Sequence, residues 1–163
     1  MGDEMKGKEM VDLNDVFLAG LVHRWHTNPH LAHTHDRLDG HAGRVARILL
    51  AMHPDPSVAL LRAALTHDDG ESVSGDIPGP TKRAYPEYAR AAEALERAEI
   101  DRLWPNDDDD DLTLNDARWL QFADRLDAYQ WAAHFAPHRI WDDGWPESRA
   151  WIMREARALG VEL

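Results

Sequence analysis

An all-α fold, a compact helical bundle, is what this sequence predicts, and three observations predict it. Apolar residues recur at helical spacing over most of the chain. No segment alternates apolar and polar residues with the period of a strand. Chain breakers stand at the ends of the periodic stretches, at Pro54, Pro56, Pro86 and Gly160. With 163 residues the chain suits one domain around one core. Residues 1–13 read as a polar tail and 14–163 as the domain.

The first helix is expected from about Asp15 to Trp25. A His-rich loop, HTNPHLAHTHDR, follows. The second helix, about Leu38 to His53, carries Ala42, Val45, Ile48, Leu49 and Met52, and HPDPS breaks it. The third, about Ser57 to Asp69, carries Val58, Leu61, Ala64 and Leu65. GESVSGDIPGPTKR is loop chemistry. Pro86 suits the first turn of a fourth helix ending near Trp104. PNDDDDD reads as an acidic, solvated turn. Thr113 with Asp116 resembles a capping box that opens a fifth helix, to about Phe135. The last helix starts near Pro146 and stops at Gly160, a good residue to end on.

Composition narrows the function classes. A formal net charge of −12 argues against a broad nucleic-acid surface, which needs clustered Lys and Arg. A small anionic substrate stays compatible, since a metal ion and a few placed basic residues can hold a phosphate. No cysteine is present, which excludes disulfides and thiolate metal sites. No apolar run is long enough to span a membrane, and MGDEMKGKEM lacks the apolar region of a secretory signal. A cytoplasmic location is expected. The ten histidines and seven tryptophans are high counts that fix no function alone.

Polar residues on apolar faces carry more information, because burying them costs free energy unless they are paired or bind metal. His41 shares a helical face with Val45, Ile48 and Met52. Asp68 falls on the face of Val58, Leu61 and Leu65, and His67 on that of Leu60 and Ala64. Asp124 falls on the face of Ala117, Leu120, Ala128 and Trp131. Any one of these could be satisfied by a backbone carbonyl or by an arginine such as Arg125 or Arg62. Taken together, two imidazoles and two carboxylates from three helices favour a shared divalent ion. A mixed N/O set suits Mn, Fe, Co, Ni or Zn, and admits Mg.

The segments GHAGRVA, LTHDDGE and FADRLDAY resemble the H…HD…D pattern of the HD-domain phosphohydrolase superfamily. The longer stretch HDDGESVSGDIPGPTK is similar to the HD-x-x-E-x-x-x-GD-x-P-x-P-x-K element of bacterial HD-type 5′-deoxynucleotidases. HRWHT resembles the Arg-Trp pair of that family, and the short chain is similar to small phage-encoded HD enzymes acting on dATP. The resemblance spans about Arg24 to Trp131. It implies an HD-type bundle with His41, His67, Asp68 and Asp124 as metal ligands. It further implies Glu71 and Asp76 as catalytic carboxylates, and Arg24, Trp25, Pro78 and Lys82 as substrate-binding residues. Two departures stand out. Ala42 replaces a frequent Ser, and the loop before His41 is long and holds His30, His33 and His35, of which His33 or His35 could take a second ion.

On this reading Glu71 orients and deprotonates the attacking water. Asp76 assists proton transfer to the leaving group. Arg24 grips phosphate oxygens, with Lys82 and either Arg83 or Arg44 adding positive charge. Trp25 offers a face to a base, or else packs in the core as an ordinary aromatic. The stiff GDIPGP loop walls the substrate. The expected activity is removal of phosphate from deoxynucleotides, with dNTPs such as dATP preferred over dNMPs. A catalytically silent nucleotide-binding HD protein is the rival of another class, and a purely structural helical protein a third. The expected partners are a small deoxynucleotide and further copies of the chain, with no nucleic-acid polymer and no membrane. Trp141, Trp145 and Trp151 are interface candidates, although core packing explains them equally. For a phage-encoded enzyme the cytoplasm would be the host's.

Overall fold

The structure is a computed structural model of the chain, and it describes residues 10–105, 112–142 and 144–163. Most of the expected tail and the acidic run 107–111 lie outside the described residues. The architecture is all-α. The helices are α1 (Leu13–Ala19), α2 (Leu38–Met52), α3 (Val58–Thr66), α4 (Glu71–Ser74), α5 (Gly79–Ala84), α6 (Pro86–Leu103), α7 (Leu114–Phe135) and α8 (Trp145–Leu159). No helix among the described residues is long and apolar enough to cross a membrane.

Local chemistry fixes most boundaries. Ser57 caps α3 by accepting from the Leu60 amide, and Asp12 caps α1 by accepting from Asn14. Thr113 and Asp116 form the reciprocal capping box at the start of α7. Pro86 and Pro146 sit in the first turns of α6 and α8, where a missing N–H costs nothing. Gly160 closes α8 in the left-handed region, φ 76°.

The core joins α2, α3, α7 and α8. Val45 and Leu49, Leu60 and Ala64, Trp119, Phe122 and Leu126, and Ile152 and Ala156 meet there. A smaller cluster under the 20–37 loop gathers Leu31, Ala132 and Ala136, with Trp25, Trp131, Ile140 and Trp145 against it. On the other flank α6 packs on α4 and α5, and α1 packs on α4. Gly70 lets this flank approach, because a Cβ there would stand 2.2 Å from the Glu96 carbonyl oxygen.

Several expectations change. α1 ends at Ala19 rather than Trp25, because the chain turns at Gly20 and then pairs His23 with Arg37 in an isolated antiparallel bridge. Trp25 takes φ 62°, incompatible with a continuing helix. GESVSGDIPGPTKR forms the short helices α4 and α5 instead of a bare loop. Val58 and Leu65 are exposed, so α3 buries its Leu60–Ala64 face. The core-facing stripe of α7 runs through Trp119, Phe122, Ala123 and Leu126, one position away from the Ala117–Leu120–Asp124 line. Of the candidate interface tryptophans, Trp151 packs against the main core and Trp145 against Trp25 and Tyr129, while Trp141 is exposed.

Candidate metal centre

Two helix ends and one helix middle deliver the predicted donors. His41 lies in the first turns of α2, on the buried face that also carries Leu38, Ala42 and Val45. His67 ends α3, on the Leu60–Ala64 side, and Asp68 follows it. Asp124 projects from α7 at the edge of the core stripe. The packing of α2 against both α3 and α7 brings the three together. His41 Nε2 stands 3.3 Å from Asp68 Oδ2 and 3.2 Å from Asp124 Oδ1, and His67 Nε2 stands 3.5 Å from Asp68 Oδ2. One donor atom each of His41, His67 and Asp68 lies within 4.8 Å of the other two, whereas Asp124, the fourth expected ligand, stands beside His41 but outside this group. Among the described residues neither His33 nor His35 joins this group; both are exposed, and His35 stacks edge-on with His23.

These separations fit a shared cation. Two donors each about 2.1 Å from one ion stand roughly 3.0 Å apart at a right angle and roughly 3.4 Å apart at the tetrahedral angle. The nitrogens themselves point the same way. Nε2 of His41 and Nε2 of His67 are both buried without a hydrogen-bond partner, a condition that costs free energy unless something else satisfies them. Each ring is held from its other side. His41 Nδ1 lies 2.7 Å from Asp127 Oδ2, and His67 Nδ1 lies 3.0 Å from the Ala64 carbonyl oxygen. Arg125, a possible local partner for Asp124, instead stacks over Trp151 at 4.3 Å.

The electrostatics of the ion-free site are strained in an informative direction. Burial works against a charge on His41, but the surrounding carboxylates of Asp124, Asp127 and Asp68 push its pKa up to about 10. Burial alone would raise Asp68, yet the His67 and His41 imidazoles and Arg24 hold it well below the usual carboxylate range. For Asp127, too, burial is outweighed by His41 and Arg44, and its pKa is lowered.

Glu71 opens α4 just beyond this cluster. It is buried, its Oε2 has no hydrogen-bond partner, and its Oε1 is 4.0 Å from Lys82 Nζ. Burial, then the charges of Asp68 and Asp76, push its pKa up to about 9, with Lys82 opposing. Lys82, on α5, also lies 3.9 Å from Glu96. Pro78 is the residue before α5 and half-buried.

Three predicted residues, Asp76, Trp25 and Arg24, carry structural duties. Asp76 Oδ2 accepts the Trp25 backbone N–H at 2.9 Å, which supports the left-handed backbone there. The Trp25 ring packs 6.0 Å from Trp145, and its Nε1–H donates to Asp36. Arg24 is buried, with Nη1 3.3 Å from Asp36 and 3.5 Å from Asp127. The sequence motifs assign no role to Asp127 or Asp36 and do not specify the ion-pairing of Arg44. Asp127 carried a signal, as an acidic residue one turn after Asp124 on the same helix.

Comparison with protein-family models, with curated proteins and with solved structures finds no match to this chain.

Proposed function

We propose that the chain is a metal-dependent phosphohydrolase acting on deoxynucleotides, with triphosphates such as dATP preferred over monophosphates. One observation carries the metal reading. Two buried imidazole nitrogens without hydrogen-bond partners, those of His41 and His67, converge on the Asp68 carboxylate at distances that one ion would span, with Asp124 beside His41 as a further donor. The phosphate and nucleotide parts rest on the resemblance of HDDGESVSGDIPGPTK to the HD-type deoxynucleotidases.

His41, His67, Asp68 and Asp124 would hold a divalent ion such as Mn, Fe, Co, Ni, Zn or Mg. When bound, that ion supplies Lewis-acid neutralisation of phosphate charge and an acidified water. The chain's own residues do the rest. Glu71, with one oxygen uncommitted at the rim of the cluster, accepts the proton of the attacking water. Its raised pKa in the ion-free state falls once positive charge stands beside it. Lys82 offsets charge on the same side, reaching toward both Glu71 and Glu96. Arg24 adds a fixed positive charge behind the donors. Asp76 keeps the Arg24–Trp25 turn in place, and its second oxygen is available for the leaving group. Pro78 stiffens the approach to α5, where the substrate would be walled.

The test is a panel of dNTPs and dNMPs with added Mn or Co. Release of tripolyphosphate, pyrophosphate or phosphate from dNTPs supports the stated preference. Release from dNMPs alone moves the reading to a 5′-deoxynucleotidase. Nucleotide binding with no turnover of any substrate supports a catalytically silent protein.

A further inference from the structure

The arrangement behind His41 goes beyond ligand identity. His41 is fully buried, and its Nδ1 meets Asp127 Oδ2 at 2.7 Å. Asp127 is itself 4% exposed. Arg44 clamps this carboxylate with Nε 2.7 Å from Oδ1 and Nη2 3.1 Å from Oδ2. The same Nη2 lies 3.0 Å from both oxygens of Asp36, and Arg24 Nη1 reaches Asp36 and Asp127 together. Trp131 closes the assembly, with the Arg44 guanidinium 4.1 Å above its ring. The four charges balance, two arginines against two aspartates. A buried carboxylate is costly unless paired, and here it is paired.

We propose that Asp127 is a positioning residue of the metal centre, fixing the tautomer and ring plane of His41. The proposal rests on the metal reading above. A carboxylate already receiving two arginine N–H groups can only accept, so the proton between Asp127 and His41 belongs to Nδ1–H. With a cation among the donors, that leaves the Nε2 lone pair for the cation, on the side of Asp68 and Asp124. His67 reaches the same state by another route, donating Nδ1–H to a carbonyl of its own helix. An anionic partner also makes His41 the more basic donor of the pair. Arg44 and Arg24 keep Asp127 in line without touching His41.

The test uses the full chain stripped of metal and titrated with Co²⁺. Asp127→Asn keeps the shape and removes the charge. Its Co²⁺ affinity should fall roughly 10–100-fold, with a changed visible Co²⁺ spectrum and an unchanged far-UV CD spectrum. Asp36→Asn, which leaves both Arg44 contacts to Asp127 in place and does not touch His41, should leave affinity near wild type. Equal losses from both variants, or no loss from Asp127→Asn, would overturn the positioning role while leaving the metal centre standing. Wild-type chain that takes up no Co²⁺ would overturn the metal reading and this inference with it. Should Asp127→Asn not fold, long-range 1H–15N spectra of the Zn²⁺-loaded wild type decide the matter. A proton on Nδ1 of His41 is expected, and a proton on Nε2 refutes the proposal.

Discussion

Gly70 sits between the His67–Asp68 pair and Glu71, and Gly70→Ala pits two effects of opposite sign against each other. The backbone at Gly70 is ordinary right-handed helix, φ −61° and ψ −23°. At such a position alanine narrows the unfolded ensemble and gains about 0.4–1 kcal/mol. The added Cβ, however, would meet Glu96 at 2.2 Å from its oxygen, 2.7 Å from its carbonyl carbon and 2.9 Å from its Cα. All three are backbone atoms of α6, so no rotamer change relieves them. Either α6 or the 67–71 turn must move by about 1 Å, an overpacking cost of roughly 1–3 kcal/mol or more. The contact wins. Urea denaturation should show a lower midpoint at unchanged slope, and Tm should fall by roughly 3–10 °C. Co²⁺ affinity should drop too, since the same turn carries two donors. A variant as stable as wild type, or more stable, would refute the claim that α6 is pinned against this turn.

Other outcomes follow from the same geometry. In the ion-free chain His41 keeps its proton to about pH 10, so metal uptake should release protons and strengthen as pH rises; calorimetry in buffers of different ionisation enthalpy reads this, and uptake without proton release would contradict it. Glu71 has its pKa raised to about 9, so in the ion-free chain its contribution to stability is full below its ordinary value near 4.5 and is lost as pH rises through 9. Glu71→Gln should therefore gain stability relative to wild type above pH 9 in chelator-treated protein, while turnover falls about 10²–10⁴-fold; unchanged turnover would remove Glu71 from the chemistry. A saturating divalent ion, at about 100 times its Kd, should add about 2.7 kcal/mol to the unfolding free energy, and thermal melts with and without chelator that coincide would count against a native-state site.

Much of the frame was readable from local signals. The capping box at Thr113 and Asp116, the prolines opening α6 and α8, and the Pro54–Pro56 break act over three or four residues and need no tertiary knowledge. His41 stood out because an imidazole on the Val45 face has nowhere to go but inward. Asp127 did not, because Asp124 and Asp127 are three residues apart on one helix and Ala117, Ala123 and Ala128 give no sharp stripe to tell which is inside. The Arg44–Asp36 and Arg24–Asp127 pairings depend on how a loop folds over α2 and α7, which periodicity does not encode. The end of α1 is hidden from the sequence for a similar reason. The segment beyond Gly20 has helical composition, but Trp25 is held at φ 62° by a carboxylate 51 residues away in sequence.

One titration bears most directly on all of this. Metal-free wild-type chain and the half-buried-ligand variants His67→Ala and Asp68→Asn, each shown to be folded by CD, are titrated with Co²⁺. One ion per wild-type chain, with binding lost or greatly weakened in both variants, is the result expected of a single cation held among these side chains. A wild-type chain that binds none, or variants that bind as wild type does, would mean that the two imidazoles and their carboxylates meet for some other reason.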